Sequence, residues 1–239
     1  MKRTANEAQR ALRVAADPKR APVLQRFFKT GPGEYAEGDV FIGATVPQVR
    51  KLVKIFASLP HAEVKKLLRS KVHEERLLAL LILVRQYERG DEKAKARIFH
   101  LYSSHLKWIN NWDLIDVTAP HIVGSHLSKC DPRSLLYEWV QSDNLWLRRL
   151  AIMSTYHFIK QDDFDDTLRL AEILLNDPHD LIHKAVGWML REIGNRDRAV
   201  EERFLKQHYK YMPRTMLRYA IEKLPESRRQ AYLEGRVRG

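Results

Sequence analysis

The chain predicts an all-α fold built from repeated helix pairs, and three observations predict it. Apolar residues recur at three- and four-residue spacing almost throughout the 239 residues, the period of an amphipathic helix. Alternating strand patterns are nearly absent, Asp39-Val40-Phe41-Ile42 being the one strand-like fragment. Helix-stop and helix-start signals come at regular intervals, and one register lines up a small residue in five successive helices: Ala79, Ala119, Ala151, Ala185 and Ala220, separated by 40, 32, 34 and 35 residues. A period of about 35–40 residues made of helix pairs is the signature of a helical-repeat array. The aromatic pattern of tetratricopeptide repeats is missing, so the pattern reads as a HEAT-like solenoid of about fourteen helices, spanning residues 1–239 as a single domain.

The elements follow in order. MKRTANEAQRALRVAAD reads as the first helix rather than a leader, because it lacks a continuous apolar stretch. Asp17-Pro18 separates it from the second. A longer loop, Thr30 to Thr45, holds Gly31, Pro32, Gly33, Gly38 and Gly43, and Pro47 then stands where a first-turn proline is tolerated. Ser58-Leu59-Pro60 ends the next helix, and Gly90-Asp91 ends the helix Glu74–Arg89. Later breaks are expected at Asp131-Pro132, Ser142-Asp143, Asn176-Asp177-Pro178, Gly194-Asn195, Met212-Pro213 and Leu224-Pro225. In such an array the second helices of successive pairs line one concave surface, where side chains distant in sequence converge.

Charge points to the ligand of that surface. The apolar fraction, 44%, suits a globular core, while Lys and Arg outnumber Asp and Glu by 42 to 30, a net charge of +12. The excess is concentrated at the ends: residues 1–29 carry eight basic side chains against two acidic, and residues 196–239 carry twelve against six. A basic groove and a polyanionic partner are expected. A single cysteine, Cys130, excludes an intrachain disulfide and fits a reducing, cytoplasmic setting. It reads as a packed small apolar side chain. No apolar run is long enough to span a membrane.

Several chemistries are excluded by spacing. His73-Glu74-Glu75 lacks the second histidine of a zinc-protease helix, and His121 and His126, five apart, form no good ligand pair. One cysteine cannot build a zinc knuckle, and no phosphate-binding glycine loop occurs. Asp162-Asp163-Phe164-Asp165-Asp166 lacks calcium-loop spacing and reads as a solvated loop with helix-capping duty. No metal is expected.

What the repeat helices project is more informative. In the shared register one helix carries Trp112, Asp113 and Asp116, with Trp112 and Asp116 four apart on one face. The next carries Trp146, Arg148 and Arg149. The third carries Lys184, Trp188 and Arg191 on one stripe, and the last Arg214 and Arg218. Cations beside stacking aromatics form a nucleic-acid constellation. A carboxylate among them costs affinity for phosphate, which makes chemistry one reason for Asp116; an ion pair with Arg149 locking neighbouring repeats is the other. Trp139 reads as core.

These same segments, NNWDLIDVTAPHIVG (110–124), SDNLWLRRLAI (142–152) and KAVGWMLREIG (184–194), resemble the AlkD-like family of DNA alkylation repair glycosylases. FIGATVPQVRKLV (41–53) and PRTMLRYAIEKLP (213–225) are similar to that family too. The resemblance implies a HEAT-like fold and excision of N3- and N7-alkylated purines without a cofactor and without a base-binding pocket. It implies that Asp116 is the catalytic carboxylate, Trp112 and Trp188 the groove tryptophans, and Arg149 the phosphate-binding arginine. Arg148, Lys184, Arg191, Arg214 and Arg218 are candidates for further phosphate contacts, with Arg50 and Lys51 extending the track. Two departures stand out: Asn111 where the family often has an aromatic, and the long Thr30–Thr45 loop. The expected partner is double-stranded DNA containing alkylated bases, bound by a monomer. The alternative is a non-catalytic HEAT-repeat nucleic-acid-binding protein, from which the carboxylate beside Trp112 separates it.

Overall fold

The structure, a computed structural model, describes residues 3–129 and 133–237. It is all-helical, with 71% helix and no strand among the described residues. Cys130 and the break expected at Asp131-Pro132 lie outside the described residues. The chain divides into two compact units, Met1–Ile122 and Val123–Gly239.

The first unit holds α1 (Ala5–Ala15), α2 (Ala21–Phe27), α3 (Val46–Phe56), α4 (His61–Leu68), α5 (His73–Arg89), α6 (Glu92–Ser103) and α7 (Trp112–Asp116). The basic N-terminal segment is indeed a helix of the fold. Thr4 and Glu7 close a capping box on α1, and Ala5, Ala8 and Leu12 are its buried stripe. The centre of α5, Leu77 to Leu83, is buried on nearly every side, as expected of a helix surrounded by others. Helices α3, α4, α6 and α7 pack on it.

The long loop ahead of α3 is anchored rather than loose. Val40 makes a single parallel bridge with Val72, which is what the strand-like fragment becomes. The Glu74 carboxylate accepts the N–H groups of Ile42, Gly43 and Ala44 at 3.1, 2.8 and 3.2 Å. Gly43 has φ +92, and a Cβ there would lie 1.9 Å from the Asp17 carbonyl oxygen. Only glycine lets the loop pass the end of α1 so closely.

The second unit holds α8 (Ser125–Leu127), α9 (Ser134–Val140), α10 (Leu145–Ser154), α11 (Tyr156–Ile159), α12 (Asp165–Ile173), α13 (Asp180–Arg196), α14 (Arg198–His208), α15 (Arg214–Ala220) and α16 (Glu226–Leu233). A π-helical turn, Ala119–Gly124, precedes them. Helices adjacent in sequence pack as pairs, α9 on α10 and α13 on α14, and α13 is the central element, touching α10, α11, α12 and α15 as well. Gly187 lets α13 and α15 approach: a Cβ there would sit 2.4 Å from the Met216 carbonyl oxygen. All five register alanines are buried, at 1% exposure or less, so the repeat marks close helix packing. Trp139 is in the core.

Two expectations are corrected. Gly194-Asn195 is not a break, since α13 runs on to Arg196. The stop comes at Asp197, whose side chain accepts from the N–H groups of Ala199 and Val200 and so begins α14. The acidic run is paired rather than merely solvated. Asp162 binds Arg196, and Arg133 bridges Asp163 and Asp166. The residue before α12 is Phe164, without a side-chain cap. Among the described residues no helix is long and apolar enough to cross a membrane.

Candidate active site

In the first unit the candidate residues sit on α7, a helix of only five residues. Asn111 explains its own presence: it is fully buried and its side-chain oxygen accepts the Trp112 N–H at 2.8 Å, capping the helix. An aromatic side chain there could not do so. Trp112 opens α7 and Asp116 closes it, and both are half-buried.

The Trp112 indole is held on three sides. Its ring stacks on Phe28 at 5.2 Å and 15°, Phe27 meets it edge-on at 6.0 Å, and its Nε1–H donates to the Tyr35 hydroxyl at 3.3 Å. Phe28 continues the stack to Phe41 at 4.8 Å. Phe27 is 62% exposed, a large apolar surface beside the indole.

Behind the aromatics lies a buried ionic cluster. The His73 Nε2–H donates to Asp113 Oδ2 at 2.8 Å and the Nδ1–H to Asp39 Oδ2 at 3.2 Å. Arg76 donates to the same Asp39 oxygen at 2.7 Å. Burial by itself lowers the His73 pKa, but the Asp113 charge and the hydrogen bonds to Asp113 and Asp39 outweigh it, pushing the imidazole up to about 9. Burial raises the Asp39 carboxyl, and His73 and Arg76 more than compensate, holding it below the usual range. Two cations therefore face two anions, the arrangement in which buried charges are tolerable.

In the second unit the candidates lie on α10, α13 and α15. Arg149 is 4% exposed and donates to the Leu181 carbonyl at the start of α13. Its neighbour Arg148 pairs with Asp177 at 2.6 Å and also donates to the Ser142 and Asp143 carbonyls. Trp188 is half-buried on α13 and its Nε1–H donates to Glu192 one turn along at 2.8 Å. Lys184 pairs with Asp180, and Arg191 with Glu222 and Glu192. Arg214 is exposed and donates to the Leu233 carbonyl, and Arg218 is exposed. On α3 of the first unit Arg50 and Lys51 are both exposed. No group of His, Cys, Asp or Glu among the described residues is arranged to hold a metal ion.

Sequence reasoning missed Phe27, Phe28, Tyr35, Phe41, Asp39 and the true partners of His73. One signal was available, the aromatic doublet Phe27-Phe28 inside a strongly basic N-terminal stretch. Tyr35, Asp39 and the His73 pairings act through contacts more than thirty residues apart, and Phe41 through a stack on Phe28 thirteen positions away, which no local pattern reveals.

Known proteins add the following. A family profile described as "DNA alkylation repair enzyme" matches residues 8–224. A solved structure described as a "predicted DNA alkylation repair enzyme" from Enterococcus faecalis superposes with a TM-score of 0.68 at 16% identity, covering 88% of this chain and 97% of that one. At that identity the likeness concerns the fold. None of the curated proteins matches the sequence.

Proposed function

As this chain belongs to the family of DNA alkylation repair enzymes, we propose that it is a DNA glycosylase hydrolysing the N-glycosidic bond of N3- and N7-alkylated purines in double-stranded DNA. The observation that carries the reading is α7, which presents a braced indole and a half-buried carboxylate on one face. A carboxylate facing the strand costs affinity for phosphate, and in this reading chemistry is the reason for it.

The chemistry suits so spare a site. An N3- or N7-alkylated purine is already cationic, so no general acid is needed to make it a leaving group. The difficulty is the deoxyribose, which acquires oxocarbenium character as the C1′–N bond lengthens. Its electron pair neutralises the departing purine, and water adds to C1′ and loses a proton. In the proposal Asp116 stabilises the cationic sugar and orients that water, accepting its proton. Trp112 and Trp188 present π faces to the sugar and backbone, with Phe27 enlarging the apolar surface beside Trp112. Arg149, expected to hold a flanking phosphate, is 4% exposed and donates to the Leu181 carbonyl, so in this reading it sets the start of α13, and the register of the strand falls to the exposed cations. The exposed cations Arg50, Lys51, Arg214 and Arg218 serve as sequence-independent backbone contacts; Arg148 and Arg191 hold neighbouring elements through Asp177 and Glu222, and Lys184 is paired within α13 to Asp180. The protein then acts as a monomer, in base excision repair at the nucleoid of the cytoplasm.

The test is incubation with duplex DNA containing N7-methylguanine, followed by quantification of free base and of abasic sites. The Asp116→Asn protein should lose roughly 10²–10³ in the rate of release, as expected when one preorganised charge is removed. Its binding to undamaged DNA should persist or tighten, because a negative charge has left the surface. No base release by the wild-type protein would overturn the reading in favour of a non-catalytic DNA binder.

A further inference from the structure

A five-residue helix has no stability of its own, so the position of α7 must be imposed by its neighbours. Asn111 caps its first N–H, but a cap fixes a helix end and not its place in the fold. Beside the aromatic contacts of Trp112 and the buried Leu114 and Ile115, the ionic tie to the body of the first unit is Asp113, between Trp112 and Asp116. One of its oxygens accepts the Leu114 N–H at 2.9 Å. The other accepts the His73 Nε2–H at 2.8 Å, from the first residue of α5, the central helix of that unit.

We propose that His73 is a positioning residue for the candidate active site: its imidazolium, anchored to Asp39 through one nitrogen, grips Asp113 with the other and so sets the place of α7, and with it Trp112 and Asp116. The inference rests on the function proposed above for those two residues, but its structural half stands apart from it.

Three features support the assignment. The His73 side chain is 2% exposed and its ring lies stacked on Phe41 at 4.5 Å and tilted against Phe28 at 5.1 Å. Phe28 in turn stacks on Trp112, so one aromatic layer reaches from the imidazole to the indole. Secondly, both ring nitrogens face carboxylates, and two such acceptors are satisfied together only by the doubly protonated ring. Thirdly, the loop ahead of α3 supplies Asp39, Phe41 and the Tyr35 hydroxyl, so that long segment braces the site from behind. The charged groups facing the ring are Asp39 from the loop, Asp113 from α7 and Arg76 from α5 itself. The His73 pKa is raised, so the stability that the brace contributes is whole below about 6.5 and is lost as pH climbs through about 9, where the ring itself loses its proton.

Two measurements on the full chain decide the matter. In ¹⁵N-histidine spectra, the ring that vanishes in His73→Gln should have both nitrogens protonated at neutral pH and titrate near 9, and Asp113→Asn should move its midpoint down by about one unit or more. In single-turnover release of N7-methylguanine at neutral pH, His73→Gln and Asp113→Asn should each lower the maximal rate by about tenfold or more, with half-saturation by protein little changed. A general loss of structure would move both. Should His73→Gln not fold, Asp113→Asn and the wild-type titration carry the test. A ring neutral at pH 7, or a folded variant with unaltered maximal rate, overturns the proposal. If the wild-type protein releases no base, the glycosylase reading fails by itself. Amide exchange then decides the structural half: faster exchange in α7 of Asp113→Asn supports the brace, and unchanged exchange refutes it.

Discussion

Glu201 makes a prediction that can be worked through from the structure. It sits in the first turn of α14, 2% exposed, with Oε1 lacking a hydrogen-bond partner. Its carboxyl group lies directly over Gly194, so closely that a Cβ there would be 1.9 Å from Oε2. Burial pushes its pKa from 4.5 up to about 8; Glu202 adds to the rise, and Arg198 and Arg191 oppose it. The native protein therefore retains a proton that the unfolded chain releases near 4.5. Below that pH both states hold the proton, and above about 8 neither does. In between the unfolded state binds fewer protons, so stability must fall as pH rises. At 1.36 kcal/mol per unit the window of roughly three and a half units sets a ceiling of about 5 kcal/mol, and water entry around the ionised group cuts this to about 2–3 kcal/mol. Glu201→Gln keeps the shape and removes the titration. Urea unfolding of both proteins across pH 5 to 9 should give a stability difference that is smallest at pH 5, grows by about 2–3 kcal/mol in favour of glutamine, and levels off above pH 8. Other titrating groups, His73 included, are common to the two proteins and cancel. A difference independent of pH, or a glutamine protein less stable at pH 9, would show that Glu201 is ionised and partnered, and the reasoning would fail.

Two further outcomes follow from contacts already described. Gly187→Ala should lower stability by about 1–3 kcal/mol, because its methyl group meets the Met216 backbone and the Tyr219 Cβ with no flexible chain end to give way; thermal unfolding reads this, and an unchanged midpoint would mean that α13 and α15 separate freely beside Trp188. Phe27→Ala should alter stability by less than about 1 kcal/mol, since only edge contacts with Phe28 and Trp112 are lost from an exposed ring. The same change should weaken binding to DNA by roughly 1 kcal/mol or more if the ring meets the strand, and an unchanged Kd by fluorescence anisotropy removes Phe27 from the interface.

The fold was legible because its signals are local and repeated. Helical periodicity, prolines at helix starts and a small residue every thirty-odd positions each depend on a few neighbouring residues, and the five register alanines are all buried. The failures occurred where a local rule met a tertiary contact. Gly194-Asn195 has the composition of a stop, but the helix continues because Gly194 makes room for the Glu201 carboxyl and because Asp197 offers a better beginning for α14. The acidic run around Asp165 has the composition of a solvated loop, but Arg133, just ahead of α9, and Arg196, at the end of α13, pair with Asp162, Asp163 and Asp166.

For the site, the sequence tells what kind of group each residue carries and not how that group is occupied. His73 illustrates the point: its spacing lacks the second histidine of a zinc helix, but spacing holds no trace of Asp39 and Asp113, thirty-four and forty residues away. Arg148 and Arg149 illustrate it more sharply. Adjacent in sequence and identical in charge, they are equivalent candidates for a phosphate until the fold divides them. Arg148 turns to Asp177 and two loop carbonyls, and Arg149 inserts beneath the start of α13 at Leu181. A guanidinium that spends its donors on the fold adds little to a salt-dependent hold on DNA, because counterion release counts only charges that reach phosphate. The salt slope of binding should therefore respond more to Arg50, Lys51 or Arg218, all exposed, than to Arg148, and equal slopes for Arg148→Gln and Arg218→Gln would show that occupancy within the fold is no guide to the DNA contacts.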